Sequence, residues 1–336
     1  MRILCIQLKQ LGDVLMTTPA VRALSQHFEG CEIDFVTQRP ANAIYEHNPY
    51  LRRVYCVRWQ ARELLPLLIE FRRQKYDVLI DFSGSSKTAL FGWATRIPKR
   101  IGFDRQKNSW CFTDTVEVPA NRHYTADKKS ALLTALDLET TDPALDFFLP
   151  DDAGSQFQTR LASWGATQQP LFAVSPVSKR AYKVWPVERY AAICDRLVEQ
   201  YGAQIFFLIG PGERHFADGV KQRMLQPCLP IDENLSLYDA ACLLDLADAY
   251  IGNDNGLMHL AVARKRPTFS IFGKHSPRSW AAPTALHHAI EYDPGCKRNC
   301  YYPGCKLECL TGISVDRVWR ELVDFLESCR FGNRIG

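Results

Sequence analysis

The chain has 336 residues, 46% of them apolar and 23% charged, with 19 glycines and 19 prolines. That is the composition of a globular protein, and its length points to two domains with enough buried surface to fold without covalent staples. The net charge of +4, from 41 basic and 37 acidic residues, is mild, and no basic stripe with interleaved aromatics marks a surface for nucleic acid.

From the amino end, residues 3–8 read as a strand. Residues 17–28 read as a helix, because Ala20, Val21, Leu24 and Phe28 fall on one face. A strand at 33–36, a helix at 64–74, a strand at 78–81 and a helix at 130–138 follow. This alternation is the rhythm of a parallel sheet covered on both faces. After the polar stretch 151–169 the rhythm restarts with a strand at 171–174, a helix at 187–201, a strand at 203–209, helices at 216–224 and 237–247, and strands at 249–251 and 268–272. The last segment, 315–331, sets Val315, Val318, Trp319, Leu322, Phe325 and Leu326 at helical spacing. Such a helix packs on a domain, crossing back to the first, or docks on a membrane through Trp319 and Phe325.

The pattern predicts an α/β chain of two doubly wound, Rossmann-like domains, residues 1–160 and 168–312, with residues 313–336 as a C-terminal helix. Such domains bind ligands at the carboxyl ends of their strands, so chemistry is expected in an interdomain cleft. No run approaches the roughly 18 apolar residues of a membrane span. The opening Met1-Arg2-Ile3-Leu4-Cys5-Ile6 is a poor signal peptide, which predicts a cytoplasmic protein that starts at Met1.

The strongest local signal is Gly252-Asn253-Asp254-Asn255-Gly256-Leu257-Met258-His259, a polar glycine turn between a short strand and an apolar helix. Asn253, Asp254 or Asn255 would cap the helix, and free amides of its first turn would hold an anion such as a diphosphate. The plainer reading of the same residues is a simple cap. A second strand and glycine turn follow at Thr268-Phe269-Ser270-Ile271-Phe272-Gly273-Lys274-His275.

Eight of the twelve cysteines are scattered, several in apolar runs where a thiol behaves as a small hydrophobe. Cys296, Cys300, Cys305 and Cys309 cluster amid Pro294, Gly295, Pro303 and Gly304. They are a tetrahedral thiolate site for structural zinc or iron, reduced structural thiols, or one or two disulfides in an oxidising compartment.

Taken in order, these motifs resemble glycosyltransferase family 9, the lipopolysaccharide heptosyltransferases. The resemblance rests on Leu11-Gly12-Asp13-Val14, on Tyr76-Asp77-Val78 through Gly102-Phe103, on Lys183-Val184-Trp185-Pro186, on Gly210-Pro211-Gly212-Glu213, on the turn from Gly252, and on Pro277-Arg278-Ser279-Trp280-Ala281-Ala282-Pro283. It covers nearly the whole chain. It implies the glycosyltransferase B fold, two facing Rossmann-like domains with the acceptor held by the first and the nucleotide sugar by the second. The implied reaction is inverting transfer of heptose from ADP-heptose to a lipopolysaccharide inner-core acceptor, at the cytoplasmic face of the inner membrane and with no cofactor required for catalysis.

The family's catalytic base maps onto Asp13, beside Gly12 on the acceptor side. A carboxylate there can take the proton of an acceptor hydroxyl as it attacks the anomeric carbon. The departing diphosphate would be neutralised by Lys183, with Ser178, Lys179 and the amides from Gly256 to His259. Glu213 would hold the ribose and the segment at Leu235 the base, while Asp254 and Asn255 order the donor and His259 bonds phosphate or sugar. Related autotransporter heptosyltransferases carry a cysteine-bound iron finger, to which the clustered cysteines are similar.

Two positions depart from the family pattern, Asn255 in place of Ser or Thr and Lys274-His275 in place of Pro-Thr, both beside the expected phosphate and sugar site. Three alternatives stay open at this level. They are a protein-hydroxyl heptosyltransferase of the same family with a cysteine-bound metal, a nucleotide-sugar epimerase, and a non-catalytic nucleotide-sugar-binding module.

Overall fold

Short apolar runs such as Ile3-Leu4-Cys5-Ile6, buried on both sides, form only where a sheet is covered on both faces, and both sheets of this chain are of that kind. The computed structural model describes residues 1–296 and 305–329, which divide between Phe148 and Leu149 into two compact units.

The first unit contains β1 (Arg2–Ile6), β2 (Glu32–Thr37), β3 (Arg53–Cys56), β4 (Val78–Asp81), β5 (Lys99–Phe103) and β6 (Asp114–Val116). All pair in parallel, in the order β3-β2-β1-β4-β5-β6. Ile3 lies between Ile33 on one side and Val78 on the other. The strand order reverses between β1 and β4, which opens a crevice at their carboxyl ends. Helices Thr18–His27, Ala61–Gln74 and Ser86–Thr95 connect the strands.

Three of these strands are additions to the sequence reading. β3, Arg53-Val54-Tyr55-Cys56, is half-exposed at the sheet edge, where Arg53 pairs with Glu70. β5 opens on Lys99 and Arg100, and β6 is three residues long. None carries the apolar run that marks a buried strand. The helix expected at 130–138 instead begins at Thr125, runs to Ser130 and tightens into a 3₁₀ stretch, Ala131–Leu136.

The second unit contains β7 (Leu171–Ser175), β8 (Gln204–Phe207), β9 (Ala249–Asn253), β10 (Thr268–Phe272) and β11 (His287–Glu291). These are also parallel, in the order β11-β10-β9-β7-β8, so the reversal falls between β7 and β9. Phe172, Ile205, Ile251 and Phe269 build the core beneath the helices.

Trp185 is fully buried there, its indole N–H donating to the Ile313 carbonyl at 3.0 Å. The C-terminal helix, Val315–Ser328, lays Val318, Leu322, Phe325 and Leu326 into this same core. Phe325 is therefore not available to a membrane, which corrects that reading of the helix. Trp319 lies against Tyr201 and Arg196. Among the described residues no helix is long and apolar enough to cross a membrane.

Gly252 sits in β9 opposite Ser175 of β7. A Cβ there would stand 2.8 Å from the Ser175 carbonyl oxygen and 2.4 Å from the Tyr250 hydroxyl, closer than atoms pack. Gly219, inside the helix Arg214–Lys221, has only an ordinary contact at 4.0 Å. We expect Gly252→Ala to destabilise by about 1–3 kcal/mol through overpacking. Gly219→Ala should stabilise by up to about 1 kcal/mol from helix propensity. Urea unfolding of the two variants measures both.

Candidate active site

The turn after β9 is fixed by three consecutive polar side chains, each with a different duty. Asn253 is fully buried, and its Oδ1 accepts the Trp185 backbone N–H at 3.0 Å. Asn255 caps the helix Gly256–Ala263, its Oδ1 accepting from Leu257 N at 2.9 Å and Met258 N at 3.0 Å. Its Nδ2 donates to Ser175 Oγ at 3.1 Å and to the Val177 carbonyl at 2.9 Å, and the Tyr250 hydroxyl bonds its Oδ1 at 3.1 Å. A serine or threonine hydroxyl has one proton to donate, so it could not cap and also bond both Ser175 and Val177, and the amide gives this departure from the family pattern a physical basis.

The cap uses two of the first-turn amides, Leu257 and Met258. Of the amides from Gly256 to His259 expected to cradle an anion, these two already bond the cap.

Between the two asparagines lies Asp254, 5% exposed. Its Oδ2 accepts from Lys183 Nζ at 2.6 Å and lies 2.9 Å from His275 Nδ1. Burial works to raise its pKa, but the bonds from His275 and Lys183 and the lysine's charge outweigh burial and hold the carboxyl at about 2. Lys183 follows β7, Asp254 follows β9 and His275 follows β10, so the carboxyl edge of the sheet at its reversal gathers all three. The His275 ring stacks on Trp280 with centroids 5.9 Å apart, and His259, buried, lies 6.2 Å from the same indole.

The remaining residues expected in this half take varied places. Ser178 is buried, its Oγ accepting the Arg180 amide at 3.4 Å, and Lys179 is exposed. Glu213 precedes the helix Arg214–Lys221 and accepts the Gly210 amide through Oε2 at 2.9 Å. Leu235 is buried just ahead of Ser236, which caps the helix Leu237–Leu246 in a capping box with Asp239.

In the first unit, β1 leads into a short helix, Leu11–Leu15, that contains buried Gly12 and partly exposed Asp13. Asp13 Oδ2 accepts the Gln10 amide at 3.2 Å, so the side chain does cap its helix, through one of its two oxygens.

Sequence reasoning missed a second group here. Lys129 is buried, donating to Gln7 Oε1 and, at 3.3 Å, to the Phe82 carbonyl at the end of β4. Burial lowers the lysine to about 8, against the opposing pull of Asp13 and Asp81. Burial likewise raises Asp81 to about 6, with the Ser83 amide and the Lys129 charge working the other way. The signal was available in the spacing, since Ala126, Lys129, Ser130 and Leu133 share the buried face of two successive helical turns.

Cys296 and Cys305 are exposed, Cys309 is buried in the short helix Glu308–Thr311, and Cys300 lies outside the described residues. Among the described residues no three His, Cys, Asp or Glu side chains come together as a metal site.

Two parallel sheets, the second gathering Lys183, Asp254 and His275 at its reversal, are those of a glycosyltransferase of the B fold. The chain belongs to glycosyltransferase family 9 (heptosyltransferase), whose profile matches residues 66–309. It is similar to lipopolysaccharide heptosyltransferase 3 of Escherichia coli strain K12, 22% identical over 286 residues and covering 80% of this chain and 81% of that protein. Its fold is that of a family 9 glycosyltransferase from Veillonella parvula, with TM-score 0.86, 22% identity and 97% of each chain covered. It is also that of E. coli ADP-heptose lipopolysaccharide heptosyltransferase II, with TM-score 0.82, 20% identity and 98% and 100% of the two chains covered.

Asp254, held below the aspartate value near 4 of an unfolded chain, contributes stability that is complete above that value and lost as pH falls through about 2. We expect wild-type stability to fall between pH 4 and pH 2 by about 2 kcal/mol more than that of Asp254→Asn, read from urea midpoints across that range. Lys183→Met strands the carboxylate with one partner and should destabilise by on the order of 3 kcal/mol at pH 7.

Proposed function

We propose that the chain transfers heptose, with inversion, from ADP-heptose to a lipopolysaccharide inner-core acceptor. The acceptor oxygen attacks the anomeric carbon, its proton passes to Asp13, and the bond to the diphosphate breaks with its electron pair leaving on ADP. Lys183 neutralises the charge that grows on the leaving diphosphate. Glu213 takes the ribose hydroxyls and the Leu235 segment the base, while Ser178, Lys179, Asn255, Gly256 and His259 line the phosphate and sugar. The acceptor's lipid anchor implies peripheral contact with the cytoplasmic face of the inner membrane.

The observation that carries this reading is the pairing of Lys183 and His275 on one buried carboxylate at the sheet reversal, in a family 9 chain. That arrangement would hold the Lys183 ammonium and the His275 ring where an open α/β sheet binds its ligand. A structural zinc or iron on Cys296, Cys300, Cys305 and Cys309 is a separable addition. Elemental analysis giving about one metal per chain supports it, and a metal-free chain removes it.

Thermal unfolding with a panel of nucleotide sugars tests the donor. ADP-heptose and ADP should protect, by about 2.7 kcal/mol at a hundredfold excess over Kd, and UDP-sugars should not. Asp13→Asn should keep ADP protection and lose transfer by about 10²- to 10⁴-fold. Protection by UDP-sugars alone would point to an epimerase or another transferase, and undiminished transfer by Asp13→Asn would remove the base assignment.

A further inference from the structure

We infer that His275 is a diphosphate-binding residue, which meets the donor through its Nε2 edge and takes up a proton from solvent as the nucleotide binds. The inference rests on the reading of this site as a nucleoside-diphosphate site.

Asp254 is ionised and buried, so the His275 nitrogen 2.9 Å from its Oδ2 carries a proton. An imidazole protonated at Nδ1 offers a lone pair at Nε2 when neutral and an N–H when charged. A lone pair repels a phosphate oxygen, whereas an N–H of a cation forms a short, charge-assisted bond to it. An arriving diphosphate therefore favours the imidazolium, and the Asp254 carboxylate stabilises that charge from the other edge of the ring.

The ring is held for this task. Trp280 stacks on it at 23°, and the Lys183 ammonium is fixed on the same carboxylate oxygen at 2.6 Å, so one anchor aims both groups. Among the described residues, the charged and titratable groups around His275 come from its own loop and from four other segments. They are Asp254 after β9, Lys183 after β7, Lys274 beside it and over the Tyr182 ring, Arg278 in the helix Pro277–Trp280, and His259 in the helix Gly256–Ala263. Lysine and arginine stay charged near neutrality, which leaves His259 as the other histidine whose charge could change there. It is unaltered in the variants that test the proposal.

Titration calorimetry of ADP, from pH 6 to pH 8 and in buffers of differing ionisation enthalpy, separates the roles. His275→Asn keeps an amide near the Nδ1 position to satisfy Asp254, and His275→Gln reaches toward the Nε2 position with a neutral donor. The wild type should lose about tenfold more ADP affinity between pH 6 and pH 8 than either variant, and should show proton uptake on binding that both variants lack. Adenosine, which has no phosphate, should bind all three proteins alike.

Parallel pH profiles with equal proton uptake would overturn the proposal, as would an equal loss of adenosine and ADP affinity in the variants, which marks a structural role. A wild type that binds ADP at no pH would bring down the nucleotide-site reading together with this one, a pattern distinct from wild-type binding with parallel profiles.

Discussion

A carboxylate removed from water persists in ionised form only where cations and hydrogen-bond donors replace its solvent, and Asp254 is such a group. Lys183 and His275 meet on a single one of its oxygens. The arrangement works in both directions. The two donors keep the acid charged, and the charged acid keeps two long or rotatable side chains pointed where the sheet reversal admits a ligand. Without it, Lys183 would be a flexible surface cation and His275 a ring of undefined tautomer.

The residues on either side of Asp254 hold that anchor still. Asn253 ties the turn to the backbone at Trp185, and Asn255 ties it to Ser175 and Val177 while closing the first turn of the following helix. Trp185 is in turn locked to Ile313, just before the C-terminal helix, so the site draws rigidity from the packed core of the second unit. This also explains the near absence of space around Gly252, where the Tyr250 hydroxyl must pass to reach Asn255. In the first unit Lys129 is buried at the corresponding reversal, where Asp13 and Asp81 act on its charge against the cost of burial.

Much of this was legible in the residues. The apolar runs at Ile3-Leu4-Cys5-Ile6 and Val78-Leu79-Ile80 announce buried parallel strands, and the alternation with amphipathic helices announces the doubly wound class. The polar turn from Gly252 and the motif at Lys183-Val184-Trp185-Pro186 point to the half of the molecule where the anion site forms. What was not legible is instructive. β3 and β5 carry arginines and lysine that snorkel or pair at partly exposed positions, so their runs do not look buried. Lys129, in a run of charged residues, looks like surface until the helix is docked. Phe325 looks like a membrane anchor until the core that covers it is in place.

The sequence by itself determined the local states, because side-chain period, turn residues and caps act over a few neighbouring residues. It also determined the family, through the order of its motifs. Only the tertiary structure decided that Lys183 and Asp254, 71 residues apart, share a proton-bearing contact with a histidine 21 residues further on. It likewise decided which amides of the turn are already used. The physical reason is that strand order sets which loops meet at a sheet's carboxyl edge. The charge state of a side chain there follows from the solvent it loses and the partners it gains, and neither is a property of its neighbours in the chain.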